Sequence, residues 1–360
     1  MPGFRRHPDS PSSASDPSGP AVAHPAGRAA WIHVLAVSLG LTAVLSLLVI
    51  AFAWPATQLA PRSLPVVVAG PAEAAAQVTA ALNQAAPGGF AVTPVADEAA
   101  ARTAIEQRDA YGAIVVGATP TVLTAAAASP VVAQLMTQLA TTLEARQPGA
   151  AAPAVRVVDV VPSPSADPRG VGLAALALPL VLGGLIVGAA MTTAVSGVGR
   201  RVAGVVLTAT FAGLALTGIA QSWLGILDGA WWAEAGVIAL GIAAVGLTLV
   251  GLEALFGFVG LGVGAAVVML VGNPFSGMTS APEMLPTGWA TLGQLLPPGA
   301  TGTLLRSVAF FDGAGGTRAL WILVGWVVLG LALAVLGSRR AGRHTGLVES
   351  VDAGIRPVAA

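Results

Sequence analysis

From Ala235 to Gly272 the chain is apolar, with a single break at Glu253. A membrane crossing requires about 20 predominantly apolar residues, and a soluble core helix is neither so long nor so uniformly apolar. The stretch fits two crossings joined by a minimal turn at Glu253. Comparable stretches recur elsewhere, so six spans are expected, at 31–54, 171–196, 202–224, 235–252, 254–272 and 319–336. Composition agrees: 9% of residues are charged and mean hydropathy is +0.80, against roughly 25% charged in soluble domains. The expected fold is an α-helical polytopic membrane protein of six transmembrane helices in the lipid bilayer, with an inserted extracytoplasmic α/β domain.

Two absences narrow the chemistry. Cysteine is missing, which excludes disulfides, thiolate metal sites and cysteine nucleophiles. All 17 basic residues are arginine, and a standard phosphate-binding loop needs its lysine to reach the nucleotide phosphates. The chain is therefore not expected to be an enzyme with its own ATPase site. His7, His24, His33 and His344 lie in the tails or at the start of the first span without metal-ligand spacing. Glu98, Arg102 and Glu106 recur every four residues, as on a solvated helix face. Gly257 to Gly264 (GFVGLGVG) lies within a span and follows no strand, so Gly260 and Gly264 are read as helix-packing positions. No catalytic residue, cofactor or metal is assigned. The net charge of zero identifies no partner, and no nucleic acid is expected.

Residues 1–30 are rich in Pro, Ser and Ala without apolar periodicity and read as a disordered cytoplasmic tail. Ala51-Phe52-Ala53 offers a signal-peptide cleavage pattern, but the preceding apolar run exceeds the roughly 7–15 residues of a signal core and reads as a retained anchor. Basic residues near span ends remain cytoplasmic. Arg5, Arg6 and Arg28 precede the first span, Arg200 and Arg201 follow the second, and Arg339, Arg340 and Arg343 follow the last. The turn 228–234 has acids and two tryptophans but no arginine. These placements put both termini in the cytoplasm of a plasma-membrane protein, with 55–170 and 273–318 outside and 337–360 inside. Within 55–170, strands are expected at 64–69, 90–95, 111–116 and 155–161, and helices at 72–86, around Glu98 to Glu106, and at 130–145, the alternation of an α/β domain.

Arg200, Arg201 and Glu253 fall at expected cytoplasmic turns. They are candidate contacts for an ATPase subunit, or an orientation signal and a solvated turn residue. The loop 273–318 cannot be one continuous helix, because Pro274, Pro282, Pro286, Pro297 and Pro298 interrupt it. Short helices at 288–296 and 299–311 would dip into the outer leaflet or lie on it, as a re-entrant gate or pathway lining or as a structural cap. The candidate residues are Asn273, Pro274, Pro286, Trp289, Pro297, Pro298 and Arg306.

The series Asn273-Pro274-Phe275-Ser276-Gly277, Leu285-Pro286-x-Gly288-Trp289, Leu296-Pro297-Pro298-Gly299-Ala300 and Leu304-Leu305-Arg306 to Phe310-Phe311 resembles the outer-loop pattern of ABC type-2 permeases. Within them it is most similar to the phage-infection-protein-like (Pip) membrane proteins of actinobacteria. The plan of one span, a large outer domain, a Pro168-Arg169-Gly170 approach and five further spans resembles that family over nearly the whole chain after residue 30. The resemblance implies the membrane half of an ATP-driven exporter, a homodimer or heterodimer of permeases served by a separately encoded ABC ATPase subunit. A non-transporting receptor or scaffold is the rival from another class. A proton-coupled transporter would need acids within spans, where Glu253 is the one candidate.

Overall fold

The computed structural model describes residues 26–145 and 155–354, without the side chains of 26–29, 143, 145 and 341–354. Arg5, Arg6, His7, His24 and the side chains of Arg28, Arg343 and His344 lie outside the described residues. The chain comprises two units, Met1–Leu48 and Val49–Ala360. The first holds the greater part of helix α1 (Ala26–Thr57), whose apolar portion begins at Ala30.

The second unit continues from the end of α1 into a five-stranded sheet with helices. In chain order these are β1 (Leu64–Ala69), α2 (Ala72–Ala85), β2 (Phe90–Val95), α3 (Glu98–Glu106), β3 (Gly112–Val115), β4 (Thr121–Thr124), α4 (Pro130–Ala145) and β5 (Arg156–Asp159). The sheet order is β2-β1-β3-β4-β5, parallel except for the antiparallel β3–β4 pair. Pro94 is tolerated because β2 is an edge strand, where a missing backbone donor breaks no second ladder. The Asp97 carboxylate caps α3 by accepting from the Ala100 amide at 2.8 Å. The strand β4 was not expected from the sequence.

The rest of the described chain is mostly helical: α5 (Gly172–Ala194), α6 (Val198–Thr217, continued by a π-helical turn Gly218–Trp223), α7 (Trp231–Phe256), α8 (Phe258–Val267, continued by a π-helical turn Val268–Gly272), α9 (Trp289–Leu295), α10 (Pro297–Phe310) and α11 (Thr317–Gly354). Among the described residues, five helices are long and apolar enough to cross a membrane, at Ala30–Thr57, Gly172–Ala194, Val198–Trp223, Trp231–Phe256 and Thr317–Arg340. The segment 254–272 differs from its expected span. Its 10-residue α8 and 5-residue π turn rise about 22 Å at roughly 1.5 Å per residue, less than the ~30 Å hydrocarbon core of a typical bilayer. The preceding helix is longer than expected, because Trp231 and Trp232 belong to it and Glu253 lies inside its last turn. The break falls at Gly257, whose φ of 68° suits glycine.

Helix α7 touches α5, α6, α8, α10 and α11 and is buried around most of its circumference, as expected of a helix apolar on every side. Small residues set the approach. A methyl at Gly330 of α11 would lie 2.6 Å from the α7 backbone at Leu247 and Thr248, and one at Gly213 of α6 would lie 2.4 Å from the Ala235 carbonyl oxygen. Backbones packed this closely gain van der Waals contact, which membrane helices must use in place of hydrophobic burial.

The sheet region is not a compact unit of its own, since Val49–Ala360 cluster together. The reason is visible in its two cores. One face, built on Leu64, Val66, Ile114 and Met136, includes Ala281 and Met284 of the proline-rich loop; the other, built on Val67, Ile105 and Leu123, includes Phe311.

Candidate functional site: a proline-broken loop with two cavities

The loop after α8 is held by short-range packing that its glycines permit. A Cβ at Gly293 would lie 1.8 Å from the Phe275 carbonyl oxygen, so α9 rests directly on the turn 273–277. The Gln294 amide nitrogen donates to the Ser276 carbonyl at 2.7 Å, and the Thr303 hydroxyl donates to the Gln294 side-chain oxygen at 2.6 Å. Phe275 stacks on Trp289 with ring centres 4.6 Å apart, and Trp54 meets both rings edge-on. Pro297 and Pro298 begin α10, where their missing amides cost nothing. The helix therefore starts earlier than the expected 299. Asn273 and Pro274 line a cleft of about 300 Å³ with Phe52 and Pro55 of α1 and Ala177 and Leu178 of α5. Pro286 is half-buried at the turn that leads to α9.

Arg306 is buried inside α10 and is not a lining residue of that cleft. One guanidinium nitrogen donates to the Met278 carbonyl at 2.9 Å, while its Nε has no protein partner. Burial, and secondarily Arg108, lower its pKa to about 10, so it remains charged at neutral pH.

A second cavity of about 220 Å³ lies where the sheet region meets α10 and α11, with the polar side chains of Arg108, Tyr111, Glu283, Gln294, Thr303 and Arg318 among its lining residues. Arg108 follows α3 with a φ of 64°, left-handed backbone that a non-glycine residue adopts at a cost of about 1–3 kcal/mol. Its guanidinium donates to the Thr303 carbonyl at 3.1 Å and to the Ser307 hydroxyl, and lies 5.4 Å from the Phe311 ring centre. The Tyr111 hydroxyl donates to Glu283 at 2.8 Å. Burial and then the Glu283 carboxylate push the phenol well above its ordinary value, and burial lowers the Arg108 guanidinium. Sequence reasoning missed this group. Its members are single polar residues without periodicity; Glu283, Gln294 and Thr303 stood in the patterned loop, but nothing in the sequence joined them to Arg108 and Tyr111.

Among the described residues the ion pairs are Arg102 with Glu98 and Arg201 with Glu253. The second corrects the reading of Glu253 as a solvated turn residue. Its carboxylate, on the last turn of α7, takes a hydrogen bond from Arg201 near the start of α6, and Arg201 also donates to the Val195 carbonyl at 2.7 Å. The side chains of Arg201 and Glu253 are 18% and 13% exposed, which leaves little of either for a partner. Arg200 is exposed and donates only to the Ser196 hydroxyl, at 3.1 Å.

Glu253 is also not the one acid placed among the apolar helices. Glu234, expected in a solvated turn, lies in the first turn of α7 and is fully buried. One carboxylate oxygen accepts from the Gly229 amide at 2.7 Å and the other has no partner. Gly260 and Gly264 both face α7, their added methyls falling 2.4 Å from the Leu252 carbonyl oxygen and 2.6 Å from the Leu252 side chain. No group of His, Cys, Asp and Glu suited to a metal ion occurs among the described residues. Comparison with protein-family models, curated proteins and solved structures finds no significant match.

Proposed function

We propose that this chain is the membrane-spanning permease subunit of an ABC-type exporter, driven by a separately encoded ATPase and working as a dimer of permeases. The observation that carries the reading is the position of α10. This short helix, opened by Pro297-Pro298, packs on α7 and α11 and also meets the sheet region through Arg108, Thr303 and Ser307. In the six-pass reading, α8 and its π turn form a short sixth crossing, and local thinning of the bilayer or tilt of its neighbours accommodates the mismatch. Both termini and the Arg200–Arg201 turn face the cytoplasm, and the sheet region and the loop 273–318 face outward.

The coupling follows from α7. Its 26 residues extend about 39 Å at roughly 1.5 Å per residue, from the Glu253–Arg201 pair at one end to Glu234 and α10 at the other. Force applied by an ATPase at the α5–α6 turn would pass through the ion pair into α7 and reach α10 and the loop, while the cleft lined by Asn273 and Pro274 offers an apolar surface to a hydrophobic or envelope-related substrate. Arg200, exposed at that turn, is the contact offered to the ATPase.

Affinity capture from native membranes tests the reading. An ABC ATPase is expected to co-purify with the native chain and to be reduced by Arg200→Glu. Capture without any ATPase would refute the exporter and favour a receptor or scaffold. Because the native chain has no cysteine, single substitutions Ser196→Cys and Thr287→Cys report sidedness. Labelling of Thr287→Cys from the cytoplasmic side would overturn the orientation.

A further inference from the structure

We propose that the arginine-bearing cavity between the sheet region, α10 and the start of α11 binds a phosphate group, carried by an anionic lipid headgroup or free in solution. This goes beyond the transport reading and holds whether the chain exports or only binds. Two arginines, Arg108 and Arg318, line the cavity, and neither has a carboxylate partner among the described residues. The one acid that lines it, Glu283, accepts from the Tyr111 hydroxyl and acts on Arg108 as an opposite charge, so the two arginines of the lining exceed its one carboxylate. Arg306 does not line this cavity, but Arg108 acts on it as a like charge. Arg108 is partly desolvated and Arg318 is exposed at the same cavity, and an oxyanion held between them would accept charge-assisted hydrogen bonds from both.

Size and lining select the class of ligand. The cavity, about 220 Å³, is smaller than the roughly 300–1,000 Å³ of a pocket for a drug-sized ligand, but it admits a phosphate with a short polar substituent. A tetrahedral oxyanion offers acceptors to more than one guanidinium fork, whereas a planar carboxylate is satisfied by one. Ala319 and Ile322 also line the cavity and belong to the apolar portion of α11. A ligand joined to an acyl chain would find apolar surface there. Arg108 is held in strained left-handed backbone and fixed through one nitrogen to Thr303 and Ser307, so its guanidinium is oriented before any ligand arrives.

The test is binding by the purified full-length protein in nanodiscs of phosphatidylcholine alone or with phosphatidylglycerol, and in phosphatidylcholine nanodiscs titrated with inorganic phosphate. Arg318→Gln removes an exposed guanidinium that has no carboxylate partner among the described residues. Arg169→Gln removes an exposed arginine that does not line the cavity. Loss of one charge-assisted contact is expected to weaken phosphate binding roughly tenfold in Arg318→Gln and not in Arg169→Gln. Phosphatidylglycerol retention sensitive to Arg318→Gln identifies a lipid source, and inorganic phosphate binding with the same sensitivity identifies a soluble one. Equal loss in both variants, or no dependence on Arg318 with either probe, overturns the proposal. None of these readouts involves an ATPase, so their outcome is separate from that of the exporter reading.

Discussion

Replacing Arg201 and Glu253 by alanine, singly and together, measures the link between α6 and α7. The two side chains keep 18% and 13% of their exposure. They therefore lie between exposed pairs, worth about 0–1 kcal/mol, and fully buried ones, where removing one partner costs about 3–5 kcal/mol. Arg201 keeps its bond to the Val195 carbonyl when Glu253 is lost, whereas Glu253 loses its one side-chain partner when Arg201 is lost. The coupling energy is expected at about 2 kcal/mol, within the range of hydrogen bonds to charged groups, with Arg201→Ala the more damaging single change. The assay is reversible unfolding in detergent, read by helix signal, for the native chain, both single variants and the double variant. Arg200→Ala serves as the exposed control and is expected within about 0.5 kcal/mol of native. Coupling below about 0.5 kcal/mol, the level at which independent sites add, would refute the argument that this pair joins the two helices.

Tyr111 is the one tyrosine in the chain, so the ultraviolet phenolate band reports on it alone. Burial raises its folded pKa above the unfolded value of about 10. The contribution to stability is fully present below that value and is lost as pH rises through the window between the unfolded and folded values; the band is expected to appear only well above pH 10 or on unfolding, and ordinary titration would refute the Tyr111–Glu283 geometry. Tyr111→Phe leaves Glu283 without that donor and is expected to cost about 1–2 kcal/mol, with faster hydrogen exchange at the Glu283 and Met284 amides as the check. Gly293→Ala drives a methyl onto the Phe275 carbonyl and is expected to destabilise by about 1–3 kcal/mol or more. Gly262→Ala, which meets nothing within 4 Å, is expected to be neutral or stabilising by up to about 1 kcal/mol, and equal effects in thermal unfolding would refute the close approach of α9.

Where structure followed local chemistry, the sequence was sufficient to place it. β1 (LPVVVA) and β2 coincide with their expected limits because β-branched runs end at turn residues, including Pro87-Gly88-Gly89. Four apolar helices follow the expected spans 31–54, 171–196, 202–224 and 319–336 to within a few residues at most ends, although α11 continues to Gly354. Four-residue β4 was illegible. Thr121–Thr124 exists as a strand because β3 and β5 supply ladders on both sides, and nothing in so short a segment announces partners elsewhere in the chain. The break after α7 was misplaced for a similar reason. Glu253 looked like a turn residue in isolation, but a partner on α6 lets a carboxylate sit inside a helix.

The sequence by itself determined that apolar helices and a small α/β sheet would form, and that a proline-broken loop would interrupt the last part of the chain. Hydropathy, turn propensity and proline geometry act over a few neighbouring residues, so their effects can be summed along the chain. Only the tertiary structure decided which charges meet. Arg201 and Glu253 are separated by 52 positions, Tyr111 and Glu283 by 172, and Arg108 and Ser307 by 199. Such pairs depend on how distant elements pack, and no local pattern encodes them. The arginine-lined cavity exists for the same reason: the segment after α3, the loop and the start of α11 bring their polar residues to a place that only the folded chain defines.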